Sequence, residues 1–355
     1  MSYSGLCTPF FMAPLYFVEC AKKLMLHKLS KEESSAYSQA YKPVNPAFDV
    51  GTPIHFEKVK FKLQTAYVNA FTVGNQVLVF GGGEAASSTL HIMNNVDFGF
   101  KAVTLPTSPR TLHASCLFNE YYVVHGGTAA GFINFKKGLY PGSSLVVINP
   151  TTGTVNEHQL VGQVPTPRAS HRIAQLDSSN IILAGGIDSE ETPLADTYII
   201  NMVTFHCVRV ADMPIHMVSG VLASAEGQVF AFGGSGEHGS FNKDILLFNA
   251  ESASWSRLSF VPFEPRKSSG YTVYNGMIFC FGGRNAVKEF SSVWVFSPRL
   301  MDWTRMNIAG KLPNLFGAVI FFYHGQLFVA GGSARRPKTS DVYRLDTRSL
   351  FSSPY

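Results

Sequence analysis

Two short stretches, SPRTLH at 108–113 and TPRASH at 166–171, each place an arginine three residues ahead of a histidine: Arg110 with His113, and Arg168 with His171. A guanidinium grips a carboxylate or phosphate through paired N–H bonds, and an imidazole exchanges its proton near neutral pH. These four residues therefore have the chemistry for anion binding or proton transfer. More basic side chains fall in comparable loops further along: Arg266, Lys267, Arg284, Lys288, Lys311, Arg335, Arg336 and Lys338. With Arg110 and Arg168 they form an expected basic sector on one rim, suited to a partner bearing carboxylates or phosphates. For His113 and His171 repetition points instead to architecture. Each is expected near an inner strand, hydrogen-bonded to the neighbouring repeat.

Catalytic arrangements are sparse. The chain holds no Walker loop, no H-E-x-x-H and no G-x-S-x-G, and its 11 histidines are dispersed without metal-ligand spacing. Cys7, Cys20, Cys116, Cys207 and Cys280 are odd in number and lack a C-x-x-C pair, which reads as reduced, mostly buried thiols in a cytoplasmic or nuclear protein. A formal charge of +5 over 355 residues gives no dense nucleic-acid footprint. Hydrophobic residues at 46% with charged residues at 15% exclude a disordered chain. We accordingly expect a globular non-enzyme that needs no cofactor and no metal.

The elements that position these groups repeat. An apolar strand ending in two glycines occurs six times, as VLVFGG, YYVVHGG, IILAGG, VFAFGG, IFCFGG and LFVAGG. The pairs are Gly81 and Gly82, Gly126 and Gly127, Gly185 and Gly186, Gly233 and Gly234, Gly282 and Gly283, and Gly331 and Gly332. Their spacing is close to 49 residues except after the second pair, where the insertion TAAGFINFKKGLYPGSS occupies 128–144. Two short strand patterns precede each pair, and a polar loop, a third strand and a turn follow it. A bulky residue, Phe205, Trp255, Trp303 or Phe351, then marks the outer strand in four copies. A four-stranded unit this small cannot bury both faces alone, so six of them must stack around an axis. The glycines are assigned to positive φ, at a point where the next unit comes too close for a Cβ. Trp255, Trp294 and Trp303 are assigned to packing between units rather than to a ligand.

An apolar strand, Gly-Gly, a strand carrying Tyr or Trp and an outer tryptophan together resemble the kelch repeat, over roughly residues 53–355. The resemblance implies an all-β fold: a six-bladed β-propeller of kelch repeats at 53–355, preceded by a short helical or irregular N-terminal extension and linker at 1–52. It also implies a monomeric, non-catalytic interaction module or adaptor that binds a protein partner through its loop face. Some propellers of the family are enzymes, a copper oxidase and a sialic-acid mutarotase among them. Others are joined to methyltransferases that make wybutosine in tRNA, and VPTPRASH and VVINPTTG are loosely similar to those modules. An accessory role toward tRNA, or a sugar-binding or sugar-converting role, therefore stands as the alternative to a protein partner. The first copy, GGGEAASSTLHIMNNVDFGF, departs from the repeat beyond its glycines.

Few residues remain after Leu350 for a fourth strand in the last unit, whereas PIHFEKVKFKL precedes the first. Residues 54–62 are therefore expected to supply the outer strand of the last blade, against 341–346. Residues 6–29 hold an apolar run shorter than the roughly 20 residues that span a bilayer. Pro9, Pro14 and Glu19 interrupt it, and Lys22 and Lys23 follow rather than precede it, so it reads as a docking arm rather than a signal or a span.

Overall fold

The computed structural model describes residues 53–93, 99–333 and 339–350, all within one compact unit, Asp49–Tyr355. The extension predicted at 1–52 lies outside the described residues, as do Arg335, Arg336 and Lys338.

Blade 5 shows how each sheet is built. Gly270–Tyr274, Met277–Phe281, Val293–Ser297 and Asp302–Arg305 run antiparallel from the axis to the rim. Asn275 and Gly276, both at positive φ, make the tight turn between the first two strands. The second strand is an unbroken apolar run because neighbouring blades cover both its faces, whereas the outer strand is largely open to solvent. Equivalent sheets cover 70–104, 114–159, 172–210 and 221–260 as blades 1 to 4. Blade 1 is complete despite its weak repeat, and blade 3 gains a two-residue parallel strand, Val161–Gly162, on its outer edge.

Blade 6 closes the ring as expected. Val319–Tyr323, Gln326–Ala330 and Asp341–Leu345 come from the C-terminal end, and Phe56–Lys62 from the other, with Phe56 opposite Leu345 and Lys62 opposite Asp341. Asp341 also pairs at the surface with Lys58 at 2.6 Å and with Lys62. Such exposed pairs contribute little, so Asp341→Asn should cost about 1 kcal/mol or less in urea unfolding. A loss of several kcal/mol would mean that charge, not strand pairing, holds the ring shut.

The paired glycines have φ between 58° and 103°. At Gly282 an added Cβ would sit 2.3 Å from the Leu315 carbonyl oxygen of blade 6, and at Gly331 one would sit 2.2 Å from that of Thr65 in blade 1. No side chain fits such a gap, because the same carbonyl accepts the N–H of the second glycine: Gly283 to Leu315 at 2.8 Å, Gly332 to Thr65 at 3.0 Å. Further out the wedge between blades widens and aromatics fill it. Trp303 lies about 5 Å from Phe232, Phe263 and Phe296, and Trp255 packs on Phe248 while its Nε1–H donates to Thr197 Oγ1 at 3.0 Å.

Candidate functional site

The loop that opens each blade bridges to the glycine loop of the blade before it, so both sets lie on one face. Thr65, Arg110, Arg168, Met217, Arg266 and Leu315 hold the same place in the six opening loops. Each carbonyl accepts the second-glycine N–H of the preceding blade at 2.8–3.0 Å. Where the residue is arginine, its guanidinium turns inward and donates to the first-glycine carbonyl of its own blade. The distances are 3.0 Å from Arg110 to Gly126, 3.1 Å from Arg168 to Gly185 and 3.2 Å from Arg266 to Gly282. A polar side chain at the start of the third strand completes each set: Ser144, Asp196 and Ser292. Tyr140 and Phe290 stack on Arg110 and Arg266.

Arg110, Arg168 and Arg266 are only 1%, 0% and 6% exposed, so the expected basic sector loses three members. They tie one blade to the next through the wall and present no guanidinium to a partner. The physical reason is that each opening loop leaves one glycine carbonyl buried, and a long donor reaches it. Lys288 is held by Glu264 at 2.6 Å, and Lys267 donates to Ser235 Oγ at 3.3 Å. Arg284 lies over the Phe316 ring at 4.4 Å, beside the axis.

The histidines are buried too. Gly142 O only accepts, so the 2.8 Å contact places a proton on Nε2 of His125 and leaves Nδ1 to accept from His171 Nε2–H at 2.9 Å. This is the expected cross-blade bond, and its partner is the histidine ahead of the second glycine pair. His113 differs from expectation: neither ring nitrogen has a hydrogen-bond partner among the described residues, and the residue fills the space over two glycines, with its ring over Gly81 and its Cβ over Gly127. Burial, reinforced by Arg110 and Arg172, pushes His113 down to about 3. Burial likewise lowers His125 to about 4 despite the Gly142 bond, and sets His171 well below its ordinary value.

Two residues beyond each tie point, Tyr67, Leu112, Ser170, Ser219, Ser268 and Gly317 all adopt positive φ around the axis. Five N–H to O=C bonds of 2.6–2.9 Å link them from Leu112 through the serines and Gly317 to Tyr67. This collar narrows the channel at the loop face. The Tyr67 ring stacks on Phe132 at 5.1 Å and contacts Phe316 at 6.1 Å, so aromatics from blade 2's insertion, blade 1 and blade 6 meet above it. Phe132 N–H donates to Glu84 O at 2.8 Å, which clips the tip of the insertion to the glycine loop of blade 1.

Between these loops lies a cavity of about 920 Å³, walled by Thr65 to Tyr67, Gly82 to Ser87 and Ala129 to Asn134, with Ser333 and Thr339 at its side. Ile133 stands on its rim, 87% exposed. Tyr67, Phe132 and Ile133 escape the sequence reading. The long interval after the second glycine pair is the only signal for the latter two, and it marks an insertion without saying what the insertion covers. A second cavity, of about 850 Å³, opens at the hairpin end of the channel. No helix of the described residues is long and apolar enough to cross a membrane.

Residues 206–351 match the KLHDC2/KLHL20/DRC7 Kelch-repeats domain. Among curated relatives, acyl-CoA-binding domain-containing protein 5 of Arabidopsis thaliana is 26% identical over 200 residues, covering 52% of this chain and 30% of that protein. Beta-scruin of Limulus polyphemus is 22% identical over 223 residues, covering 56% and 24%. Kelch domain-containing protein 10 of Xenopus laevis is 26% identical over 110 residues, covering 29% and 27%. The matched part of the chain spans less than a third of the length of each of these relatives.

Proposed function

Because the chain is a kelch-repeat β-propeller, we propose that it is a non-catalytic interaction module that seats a segment of a protein partner in the loop-face cleft over blades 6, 1 and 2. The observation that carries this reading is the rim of that cleft. The insertion that sets blade 2 apart from the other blades presents Ile133, 87% exposed, beside the Tyr67–Phe132 stack. An apolar side chain held out at the mouth of a cavity has the form of an interface anchor. Arg284, over the Phe316 ring, puts basic charge on the same face, and in the sequence Arg335, Arg336 and Lys338 fall between Ser333 and Thr339, two residues that line the cavity. The partner segment is thus one that combines an apolar side chain with carboxylates or a phosphate.

Affinity purification with mass spectrometry tests this, using the wild type, Ile133→Asp and the double variant Arg335→Glu/Arg336→Glu. A partner recovered with the wild type should fall at least tenfold with Ile133→Asp, a change of about 1.4 kcal/mol or more. The substitution is at an exposed tip, so thermal unfolding should not move. The same partners at the same yield from all three proteins would overturn the assignment of the cleft.

A further inference from the structure

Below the collar, Arg172 of blade 3 reaches across the channel. Its Nε–H donates to Gly220 O of blade 4 at 2.8 Å, its Nη1–H to His171 O at 3.0 Å, and its guanidinium lies 5.9 Å from the Tyr271 ring of blade 5. A guanidinium has five N–H donors, and these two bonds leave three. Arg168, four residues earlier, meets Asp196, but Arg172 has no ion pair among the described residues. The Tyr271 hydroxyl, close by, is engaged by Asn69 Nδ2–H at 2.9 Å. Arg172 is half-buried, and a cation that faces a narrow channel with no counter-charge is stabilised when something negative joins it.

The surroundings sharpen the imbalance. Arg110 and Arg168 are buried in the adjoining wall, His113, His125 and His171 are held neutral beside them, and Asp196 is spent on Arg168. Arg172 and the collar serines Ser170, Ser219 and Ser268, with Ser269, line a cavity of about 20 Å³. That space is on the scale of one water-sized or slightly larger body. Water would satisfy the donors and leave the charge. We infer that the cavity is a chloride site, the ion held by the remaining N–H groups of Arg172 and by hydroxyls of the collar serines.

Thermal unfolding at constant ionic strength, with gluconate exchanged for chloride, reads this directly. The wild type should gain about 1–2 °C in chloride, the shift that a ligand at about five times its Kd gives a domain of roughly 300 residues. Arg172→Met, which keeps length and removes charge, should show no difference between the two salts. An equal rise in both proteins, or none in the wild type, would overturn the site. Should the variant fail to fold, wild-type crystals grown in bromide decide the question. An anomalous peak in contact with the Arg172 guanidinium supports the site, and its absence there removes it.

Discussion

Between pH 7.5 and pH 5 the propeller should lose about 4 kcal/mol of its stability in urea unfolding, with the midpoint falling below about pH 6.5. His113 and His125 titrate near 3 and 4 in the fold because burial disfavours their charged forms, with Arg110 near both, Arg172 near His113 and Arg168 near His125; His171 is shifted the same way. In the unfolded chain each returns to about 6.5. The sign follows from these depressed values. Above about pH 6.5 neither state binds the proton and the three groups leave stability unchanged. Below it the unfolded chain takes up protons that the native state refuses, and stability falls by about 1.4 kcal/mol per pH unit for each histidine. His113 and His125 alone give about 3 kcal/mol per unit, so pH 5 removes about 4 kcal/mol of the 5–15 kcal/mol that domains usually have. Protonation also breaks the bond between His125 and His171. His125 Nδ1 accepts from His171 only while it is bare, and the Nδ1 of His171 faces no acceptor.

His113→Leu separates this cause from general acid sensitivity. Whatever it does to absolute stability, it removes one titrating group, so the slope of unfolding free energy against pH should shrink by about 1.4 kcal/mol per unit. Unfolding midpoints that coincide at pH 7.5 and pH 5 would contradict the burial of neutral imidazoles in the wall.

How much of this was legible depends on whether a residue's role lies in its own repeat or between repeats. Gly282 and Gly331 could be read because one requirement, positive φ with a carbonyl of the next blade 2.2–3.2 Å from where a Cβ would stand, recurs six times and suits glycine. The closing strand Phe56–Lys62 could be read because the last unit runs short of sequence. The arginines misled. Charge is visible in a sequence and burial is not, so Arg110, Arg168 and Arg266 looked like surface cations. A signal was present: the same place holds Met217, Leu315 and Thr65 in the other blades, which a partner-facing rim does not require. Arg172 shows the converse. It follows His171 in the same short motif, but blades 1, 2, 4, 5 and 6 hold Asn69, Ala114, Val221, Gly270 and Val319 there, so no repetition flags it. Its interest arises from the channel into which six blades bring that one position.

The arginine ties differ in what they leave behind when broken, and blade 3 is the most exposed to damage. Arg168 donates to both Asp196 oxygens, at 2.5 and 2.8 Å, and also to the carbonyls of Thr166 and Gly185 and to Thr166 Oγ1. Arg168→Met therefore leaves a carboxylate that is 12% exposed without its counter-charge, held by the Tyr198 hydroxyl at 3.0 Å, strands the Gly185 carbonyl, and should cost about 3–5 kcal/mol in urea unfolding. Blades 2 and 5 show a cheaper arrangement of the same place, with Ser144 and Ser292 facing Arg110 and Arg266. Asp196→Ser copies it and should cost only about 1–2 kcal/mol, since the guanidinium keeps its carbonyl acceptors. The double variant Arg168→Met/Asp196→Ser should then recover part of what Arg168→Met loses, because no buried carboxylate remains. Blade 4 indicates why recovery matters: it has Met217 at the tie, and its equivalent carboxylate, Asp244, survives by reaching Arg257 at 3.0 Å. Arg209, the counterpart of Arg257 in blade 3, is already engaged by Asp212 at 2.8 Å. Equal losses from Arg168→Met and Asp196→Ser would show that Arg209 swings over to Asp196, and the asymmetry argued here would fall.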